Sequence, residues 1–372
     1  MANSESVRPQ PHTISLPGSY TPTLLKVGDL HTESDRRWIG CVRDAGGAIY
    51  LLGGKKTIDG GATVISHANA RVDQLSVMYR PEGAALARPG FFLVLDGYVQ
   101  YQPSSGYHVR TWRSNDNLQS IEEQVAPVDV PQLGDTPMKE LFPISFARSL
   151  IEMPDGSLLA TAQGCFDEDR LIPEDRHGKL ETSHKLRTFL VVSHDQGASW
   201  HYHATVACPS AGDPVGEGFD EPTMSRLDDG RLLCIMRTGH YTPLYSCWSS
   251  DDGRTWTEPL YTGLERGCWP CLVKLADGRL ALSYGQRFPA GWSRITPQGD
   301  WARYEPIWPG VGLVKLAISP DGTGTSWIDT TVGRNMGSCY STLFEVEPNL
   351  LFCQVDGWFW RMMLVPRAPD EL

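Results

Sequence analysis

Apolar residues occur along this chain in short runs, and several consecutive runs are separated by an Asp-Gly pair. The clearest examples are SLIEMPDGSLLATAQG at Asp155-Gly156, TMSRLDDGRLLCIMRTG at Asp229-Gly230 and CLVKLADGRLALSYGQR at Asp277-Gly278. Glycine adopts a positive φ angle at little cost, so an Asp-Gly pair between two apolar runs is a strong signal for a β-hairpin. The pattern therefore predicts a series of antiparallel hairpins.

An eight-residue motif, S-x-D-x-G-x-x-W, follows two of these hairpins, as SHDQGASW at 193–200 and SSDDGRTW at 249–256. Eroded copies are SRITPQGDW at 293–301, WRSNDNLQS around Asp116 and SPDGTGTSW at 319–327. In such a motif the Asp side chain can accept hydrogen bonds from turn amides, the Gly takes a left-handed conformation and the Trp packs between sheets. We interpret the motif as structural.

The repeating unit is thus two hairpins, or four antiparallel strands. One such unit cannot bury both of its faces alone, but units stacked radially can do so as a β-propeller. The motif resembles the Asp box of the sialidase superfamily, and the resemblance covers roughly residues 30–365. It implies an all-β, six-bladed β-propeller of four-stranded antiparallel blades, and 372/6 leaves 62 residues for each blade. We expect residues 1–25 to be an N-terminal extension and residues 26–372 to be the propeller domain.

The charge balance excludes some partners. Lys and Arg number 33 and Asp and Glu number 44, which gives a net charge of −11 and argues against nucleic acid and anionic membranes. No apolar run approaches the roughly 20 residues that span a bilayer, and the first residues contain no apolar signal core. We therefore expect a cytoplasmic protein without contact to a membrane, and its oligomeric state stays open.

The nine cysteines are scattered, which is typical of reduced thiols. Cys268-Trp269-Pro270-Cys271 is spaced like a thioredoxin-type pair, but that chemistry requires a helix N-terminus. Here the pair runs into a segment that predicts strand, turn and strand. We expect no metal and no cofactor.

Glu221 and Arg237 flank the hairpin at Asp229-Gly230, Glu221 opening its first strand and Arg237 ending its second. The open ends of a hairpin lie side by side, so the two side chains should be close. Sialidases have a similar pairing, in which the Arg binds the sugar carboxylate and the Glu is the base for a tyrosine. The alternative is an ion pair at the end of a blade.

Tyr340, in GSCYSTLFEV, resembles the nucleophilic tyrosine of that family, which also lies in the final blade. A sugar with a carboxylate on its anomeric carbon would repel an anionic nucleophile. A neutral tyrosine paired with a glutamate develops its charge only as it attacks. The alternative is an ordinary strand tyrosine that packs on a blade.

Two further positions are assigned by the resemblance. Arg37, in SDRRWIGCV, matches the first arginine of the family, although the residues around it depart from the usual Phe-Arg-Ile-Pro run. Asp59, in KKTIDGGATV, resembles the aspartate that serves as acid and base. The alternative is a plain Asp-Gly turn.

Other candidates line the same predicted channel. Arg287 ends the second strand of the hairpin at Asp277-Gly278 and is the third arginine of the prediction, with Arg294 and Arg334 as competitors. Arg148 is an additional arginine on an inner strand, and His240 follows Arg237 on the substrate side. Because guanidinium groups bind carboxylates in a bidentate way, these arginines predict an acidic sugar as substrate.

The sequence therefore predicts an exo-acting, sialidase-like glycoside hydrolase for a terminal sugar that carries a carboxylate. Tyr340 would be the nucleophile, Glu221 its base and Asp59 the acid and base, with Arg37, Arg237 and Arg287 on the carboxylate. Two alternatives stay open. One is a propeller lyase or glycosidase for a uronic acid or another glycan, in which His240 could abstract a proton. The other is a glycan-binding propeller without catalytic activity.

Overall fold

The strands of this protein are assigned in a computed structural model. It describes residues 11–13, 20–26, 42–43, 46–51, 55–63, 65–66, 81–85, 91–97, 99–102, 104–117, 119–131, 144–172, 184–239, 242–287, 312–335, 340–355 and 358–366. In chain order the strands are β1 Pro11–Thr13, β2 Tyr20–Lys26, β3 Val42–Arg43, β4 Ile49–Leu51, β5 Lys55–Thr57, β6 Ile65–Ser66, β7 Pro81–Ala85, β8 Phe92–Asp96, β9 Gln100–Gln102, β10 Gly106–Ser114, β11 Glu122–Asp129, β12 Ile144–Glu152, β13 Leu158–Gly164, β14 Arg187–Ser193, β15 Trp200–Ala207, β16 Asp220–Arg226, β17 Leu232–Arg237, β18 Tyr245–Ser249, β19 Leu260–Tyr261, β20 Gly267–Lys274, β21 Leu280–Arg287, β22 Gly312–Ser319, β23 Ile328–Asn335, β24 Ser341–Glu347, β25 Leu350–Val355 and β26 Trp358–Pro366.

The repeated unit is an antiparallel sheet of four strands taken in chain order. Three sheets have this form alone, namely β3 to β6, β16 to β19, and β20 to β23. A nine-stranded sheet contains two more units, β7-β8-β10-β11 and β12-β13-β14-β15, which are joined by a short parallel pairing of β11 with β15. The prediction of an all-β propeller is confirmed, while its count of six blades stays a prediction. Among the described residues no helix is available that could cross a membrane.

The last sheet combines both ends of the chain. Its order is β1-β2-β26-β25-β24, and β2 pairs with β26 from Tyr20 opposite Pro366 to Lys26 opposite Trp360. The predicted boundary at residue 26 therefore falls within a strand of the propeller, and the proposed N-terminal extension contributes to the fold. The sequence pattern could not reveal this pairing, because the partner of β2 lies at the other end of the chain.

The hydrophobic core lies between neighbouring sheets, and β17 shows how it is built. Successive side chains of a strand point to opposite faces. Leu232, Cys234 and Met236 pack in one cluster with residues of β13 and β14, whereas Leu233 and Ile235 pack in another with residues of β20 and β21. Because both faces are covered, this strand is apolar along its whole length rather than alternating. Burial of each such aliphatic side chain contributes about 1.5–3 kcal/mol.

The two intact eight-residue motifs form the same turn, which we call the Asp turn. In the first, Ser193 Oγ donates to Asp195 Oδ1 at 2.7 Å, and the Gly197 amide donates to Ser193 Oγ at 2.7 Å. Ser199 donates to Asp195 from its amide at 2.9 Å and from its hydroxyl at 2.6 Å. The side chain of Trp200 is fully buried, in the core cluster shared with β8, β12 and β14. The motif is thus explained by local hydrogen bonding and packing.

The first strands of successive sheets lie against one another, β7 on β12, β12 on β16, β16 on β20 and β20 on β24. This arrangement places them around the centre of the propeller. Side chains link them across the sheets: Ser149 Oγ accepts from the Met224 amide at 2.6 Å, and Thr223 Oγ1 accepts from the Leu272 amide at 3.1 Å. These bonds hold β12, β16 and β20 in a fixed relation near the residues that the sequence had singled out.

Candidate functional site

The candidate site lies where β16, β20 and β24 begin, and two of these strands are irregular there. The pairing register shifts between Asp220 and Thr223 in β16 and between Cys268 and Cys271 in β20. At these bulges Glu221 has a φ of 44° and Trp269 a φ of 48°. A left-handed conformation costs a residue with a side chain roughly 1–2 kcal/mol. Such strain is concentrated at functional sites, where the surrounding structure maintains it.

Glu221 is the centre of the site. Its Oε1 accepts hydrogen bonds from the Tyr340 hydroxyl at 2.8 Å and from Arg237 Nη1 at 2.8 Å, and its Oε2 accepts from the Trp269 amide at 2.7 Å. The side chain is 5% exposed. The bulge in β20 frees the Trp269 amide from the strand ladder and directs it to the carboxylate. Three donors from separate parts of the chain therefore fix the orientation of one buried carboxylate.

Arg237 is surrounded by acidic side chains. Besides Glu221, it contacts Glu217 Oε2 through Nη2 at 2.7 Å and Asp220 Oδ2 through Nη1 at 3.4 Å, and its Nε donates to the Gly239 carbonyl at 3.2 Å. Burial alone would lower the pKa of Arg237, but Asp220, Glu217 and Glu221 raise it well above its ordinary value. Arg237 thus has a permanent charge that is shared by three carboxyl groups.

Asp220 is the site residue that sequence reasoning missed. Its side chain is 5% exposed, and its Oδ1 is buried without a hydrogen-bond partner. Burial raises the pKa of Asp220 well above its ordinary value, Glu221 and Glu217 raise it further, and Arg237 opposes them. The available signal was its place directly before Glu221 at the start of a strand. Only the bulge shows that both side chains reach the same guanidinium.

The Tyr340 ring is held between two neighbours. The Trp269 ring stacks on it with a centroid separation of 4.5 Å and an interplanar angle of 3°. The guanidinium carbon of Arg287 lies 5.1 Å from the Tyr340 centroid. Burial alone would lower the pKa of Arg287, whereas Cys268 and Tyr340 raise it. A cation over the ring favours negative charge on the phenol, so Arg287 is placed to assist an ionising tyrosine.

Trp269 was not predicted as a site residue, because its CWPC context suggested redox chemistry. Cys268 and Cys271 both lie in strand β20 rather than at a helix terminus, and both are free thiols. Burial raises the pKa of Cys268 to about 11, so it is a thiol rather than a reactive thiolate at neutral pH. Within the described ranges no three His, Cys, Asp or Glu side chains cluster as a metal ion would require.

Asp59 takes the place of the aspartate in another Asp turn. Its Oδ1 accepts from Thr57 Oγ1 and from the Thr63 amide, both at 2.8 Å, and its Oδ2 accepts from Thr63 Oγ1 at 2.6 Å. The Gly61 amide donates to Thr57 Oγ1 at 2.8 Å, as Gly197 does to Ser193. TIDGGAT is therefore an Asp turn with Thr in place of Ser. This geometry favours the turn interpretation of Asp59 over the acid and base role.

The structure brings together four of the residues that the sequence singled out, namely Glu221, Arg237, Arg287 and Tyr340. The backbone of Arg148 lies in β12 and that of Arg334 in β23, but their side chains are outside the described part of the structure. The remaining predicted positions lie outside the described residues altogether: Arg37, His240 and Arg294.

The arrangement has the chemistry of an activated nucleophile. The phenol donates to a carboxylate that can take its proton, and that carboxylate is in turn oriented by a guanidinium and a backbone amide. A nucleophile, a base and an orienting group in hydrogen-bond contact are the parts that covalent catalysis requires. The site is suited to attack on an electrophilic carbon by the Tyr340 oxygen.

Comparison with known proteins places this geometry in a wider context. The model of the BNR repeat-like domain family matches residues 91–346. No curated protein matches the chain. The chain is similar to the crystal structure of a protein of unknown function from Dyadobacter fermentans DSM 18053, with a TM-score of 0.57 and 17% identity over 97% of this chain and 95% of that one. It is also similar to the Hadza microbial sialidase Hz136, with a TM-score of 0.56 and 14% identity over 92% of this chain and 68% of that one. At these identities the likeness concerns the fold.

Proposed function

Because the chain belongs to the BNR repeat-like domain family and folds as a sialidase-like β-propeller, we propose that it is a retaining glycoside hydrolase. Tyr340 is the nucleophile in this proposal, and Glu221 is its base. The observation that supports it is the 2.8 Å hydrogen bond from the Tyr340 hydroxyl to Glu221 Oε1, between two side chains from distant strands. The similarity of fold to a microbial sialidase is consistent with it.

The proposed reaction has two steps. In the first, the Tyr340 oxygen attacks the anomeric carbon, the phenolic proton passes to Glu221, and the bond to the departing alcohol breaks. In the second, water attacks the anomeric carbon, the bond to Tyr340 breaks and Glu221 returns the proton. Two displacements give net retention of configuration. Arg287, which lies over the Tyr340 ring, would stabilise the charge that develops on the phenol.

We further propose a terminal sugar with a carboxylate as the substrate. A neutral phenol approaches an anionic sugar without repulsion, which is the physical reason for a tyrosine nucleophile. The contacts of Arg237 with Glu217, Asp220 and Glu221 give it a different role from the one predicted. In the proposal Arg237 holds the base, and binding of the carboxylate falls to other arginines, with Arg287 beside the nucleophile.

Replacement of Tyr340 by Phe tests the nucleophile. The change removes only the hydroxyl, so turnover should fall at least about 10³-fold, as for loss of other catalytic nucleophiles. Initial rates are measured on a panel of 4-methylumbelliferyl glycosides that includes N-acetylneuraminic acid, uronic acids and neutral sugars. Thermal unfolding should change little, because loss of one buried hydrogen bond costs about 1 kcal/mol.

Tyr284→Phe is the matched control. Tyr284 is also fully buried, and its hydroxyl donates to Asp329 at 3.1 Å within the sheet of β20 to β23. This variant loses a similar hydrogen bond without touching Glu221, so it should keep wild-type turnover. Undiminished turnover by Tyr340→Phe would refute the proposal. An unsaturated product that absorbs in the ultraviolet would instead indicate a lyase, and binding of glycans by the wild type without turnover would indicate a binding protein.

A further inference from the structure

A glycosidase needs a group that protonates the departing oxygen, and the residue predicted for that role is engaged elsewhere. Both carboxylate oxygens of Asp59 accept hydrogen bonds within its Asp turn. Tyr340 and Glu221 supply the nucleophile and its base, but the proton that passes between them returns to Tyr340. The inference below rests on the proposed glycosidase function and concerns the missing proton donor.

Asp220 has the geometry of a group that lies beside the reacting atoms. The bulge at the start of β16 brings Asp220 and Glu221 to the same guanidinium nitrogen, Arg237 Nη1, at 3.4 Å and 2.8 Å. Only one oxygen of Asp220, Oδ2, faces Arg237. The other, Oδ1, is buried and has no hydrogen-bond partner. A buried polar atom without a partner costs about 1–3 kcal/mol, and a bound ligand that supplies the partner recovers this cost.

The charges around Asp220 favour its protonated form. Glu217 and Glu221 disfavour a third negative charge at Arg237, and burial raises the pKa of Asp220 further, while Arg237 and Arg287 act in the opposite direction. Glu221 accepts three hydrogen bonds, which favours its ionised form. Two neighbouring carboxyl groups with opposite preferences for the proton are the arrangement that separates an acid from a base.

We propose that Asp220 is the general acid that protonates the glycosidic oxygen. As the Tyr340 oxygen bonds to the anomeric carbon, the glycosidic C–O bond breaks and the departing oxygen takes the proton from Asp220 Oδ1. In the second step the Asp220 carboxylate takes a proton from the attacking water, the bond to Tyr340 breaks, and Glu221 returns its proton to the phenol. Substrate and one water become sugar and alcohol, and each residue regains its initial state.

Substitution of Asp220 by Asn, which has the same shape and no acidic proton, tests this assignment. Two glycosides of the sugar that the wild type hydrolyses best are compared, one with 4-nitrophenol and one with methanol as the leaving group. Loss of the general acid should lower kcat/KM on the methyl glycoside by about 10²–10⁴-fold. On the nitrophenyl glycoside the loss should stay within about tenfold, because nitrophenolate departs without a proton.

Glu217→Gln is the matched control for effects that act through Arg237. Glu217 contacts Arg237 Nη2 at 2.7 Å, so this variant perturbs the same guanidinium from its other side. Its loss of kcat/KM should be equal for the two leaving groups. An equal loss on both substrates in Asp220→Asn would reduce Asp220 to such a positioning role and overturn the inference.

The second step and the pH profile provide independent readings. Azide needs no base, so it should accelerate Asp220→Asn on the nitrophenyl glycoside and yield a glycosyl azide, which also shows that the variant is folded. In the wild type, kcat/KM on the methyl glycoside should fall as pH rises and Asp220 ionises, and Asp220→Asn should lack this decline. A variant that retains the decline, or that azide does not accelerate, contradicts the assignment. Absence of hydrolysis by the wild type on every glycoside would instead refute the proposed function.

Discussion

At the scale of single residues, the neighbours of Arg237 decide its role. The sequence predicted a guanidinium that binds the carboxylate of a substrate, since Arg237 ends a strand at the channel. In the folded protein Glu217, Asp220 and Glu221 surround it. Two of these three acids were predictable as neighbours, since Asp220 pairs with Arg237 across the hairpin and Glu221 is adjacent. What could not be predicted is that a bulge turns both side chains to the same nitrogen.

Asp59 is the residue for which the sequence prediction and the structural contacts lead to different expectations. Asp59→Asn should lower the thermal stability and leave the turnover of the folded protein unchanged, because both oxygens of Asp59 bind within the Asp turn. Asp195→Asn is the matched variant in an Asp turn for which no catalytic role was predicted. Loss of turnover in Asp59→Asn alone, with an unchanged melting temperature, would restore the acid and base role.

The pH dependence of this effect has a definite sign. Partial burial alone would raise the pKa of Asp59, but hydrogen bonds from Thr63 and Thr57 lower it below its ordinary value. A group whose pKa is lowered on folding contributes stability above the pKa of the unfolded chain and loses it as pH falls through the folded value. The difference in melting temperature between wild type and Asp59→Asn should therefore be largest near neutral pH and shrink in acid.

At the scale of elements, bulges and Asp turns have different functions. The bulges in β16 and β20 lie at the centre of the propeller and release Glu221 and the Trp269 amide from regular pairing. The Asp turns end strands and pack against the neighbouring sheet. The turns were predictable because every participant lies within a few residues. A bulge depends on the fit of a strand to its neighbours, which the sequence of one strand does not contain.

Gly197 tests the packing of an Asp turn. Its φ is 89°, and a Cβ there would lie 2.5 Å from Leu93 Cδ2. Gly197→Ala should therefore lose about 1–2 kcal/mol through its left-handed backbone and about 1–3 kcal/mol more through overpacking. Gly156→Ala is the control, since Gly156 has a φ of 83° and nothing within 4 Å of the added carbon. Urea unfolding should show the larger loss at Gly197, and equal losses would contradict the packing argument.

At the scale of the whole molecule, one sheet joins the two ends of the chain. β2 and β26 pair along seven residues, from Tyr20 opposite Pro366 to Lys26 opposite Trp360. Without β2, the edge of β26 would be exposed, and an unpaired edge promotes association with other chains. The closing strand therefore contributes to the stability of the whole propeller as well as to one blade.

A truncation measures this contribution. Removal of residues 1–26 deletes β1 and β2, and we expect a marked loss of stability in chemical denaturation and larger species in size-exclusion chromatography. Removal of residues 1–10 leaves both strands in place and serves as the control. A monomer of unchanged stability after the longer truncation would show that the pairing of β2 with β26 is dispensable.

The sequence by itself determined what depends on neighbours along the chain. The hairpins, the Asp turns and the approach of Glu221 to Arg237 all follow from residues within one hairpin, where turn geometry leaves few alternatives. The tertiary structure decided what depends on distant segments: the bond from Tyr340 to Glu221 across 119 residues, the Trp269 amide on the same carboxylate, the pairing of β2 and the burial of Asp220. Burial and long-range contact are properties of the packed sheets, and no local pattern of side chains encodes them.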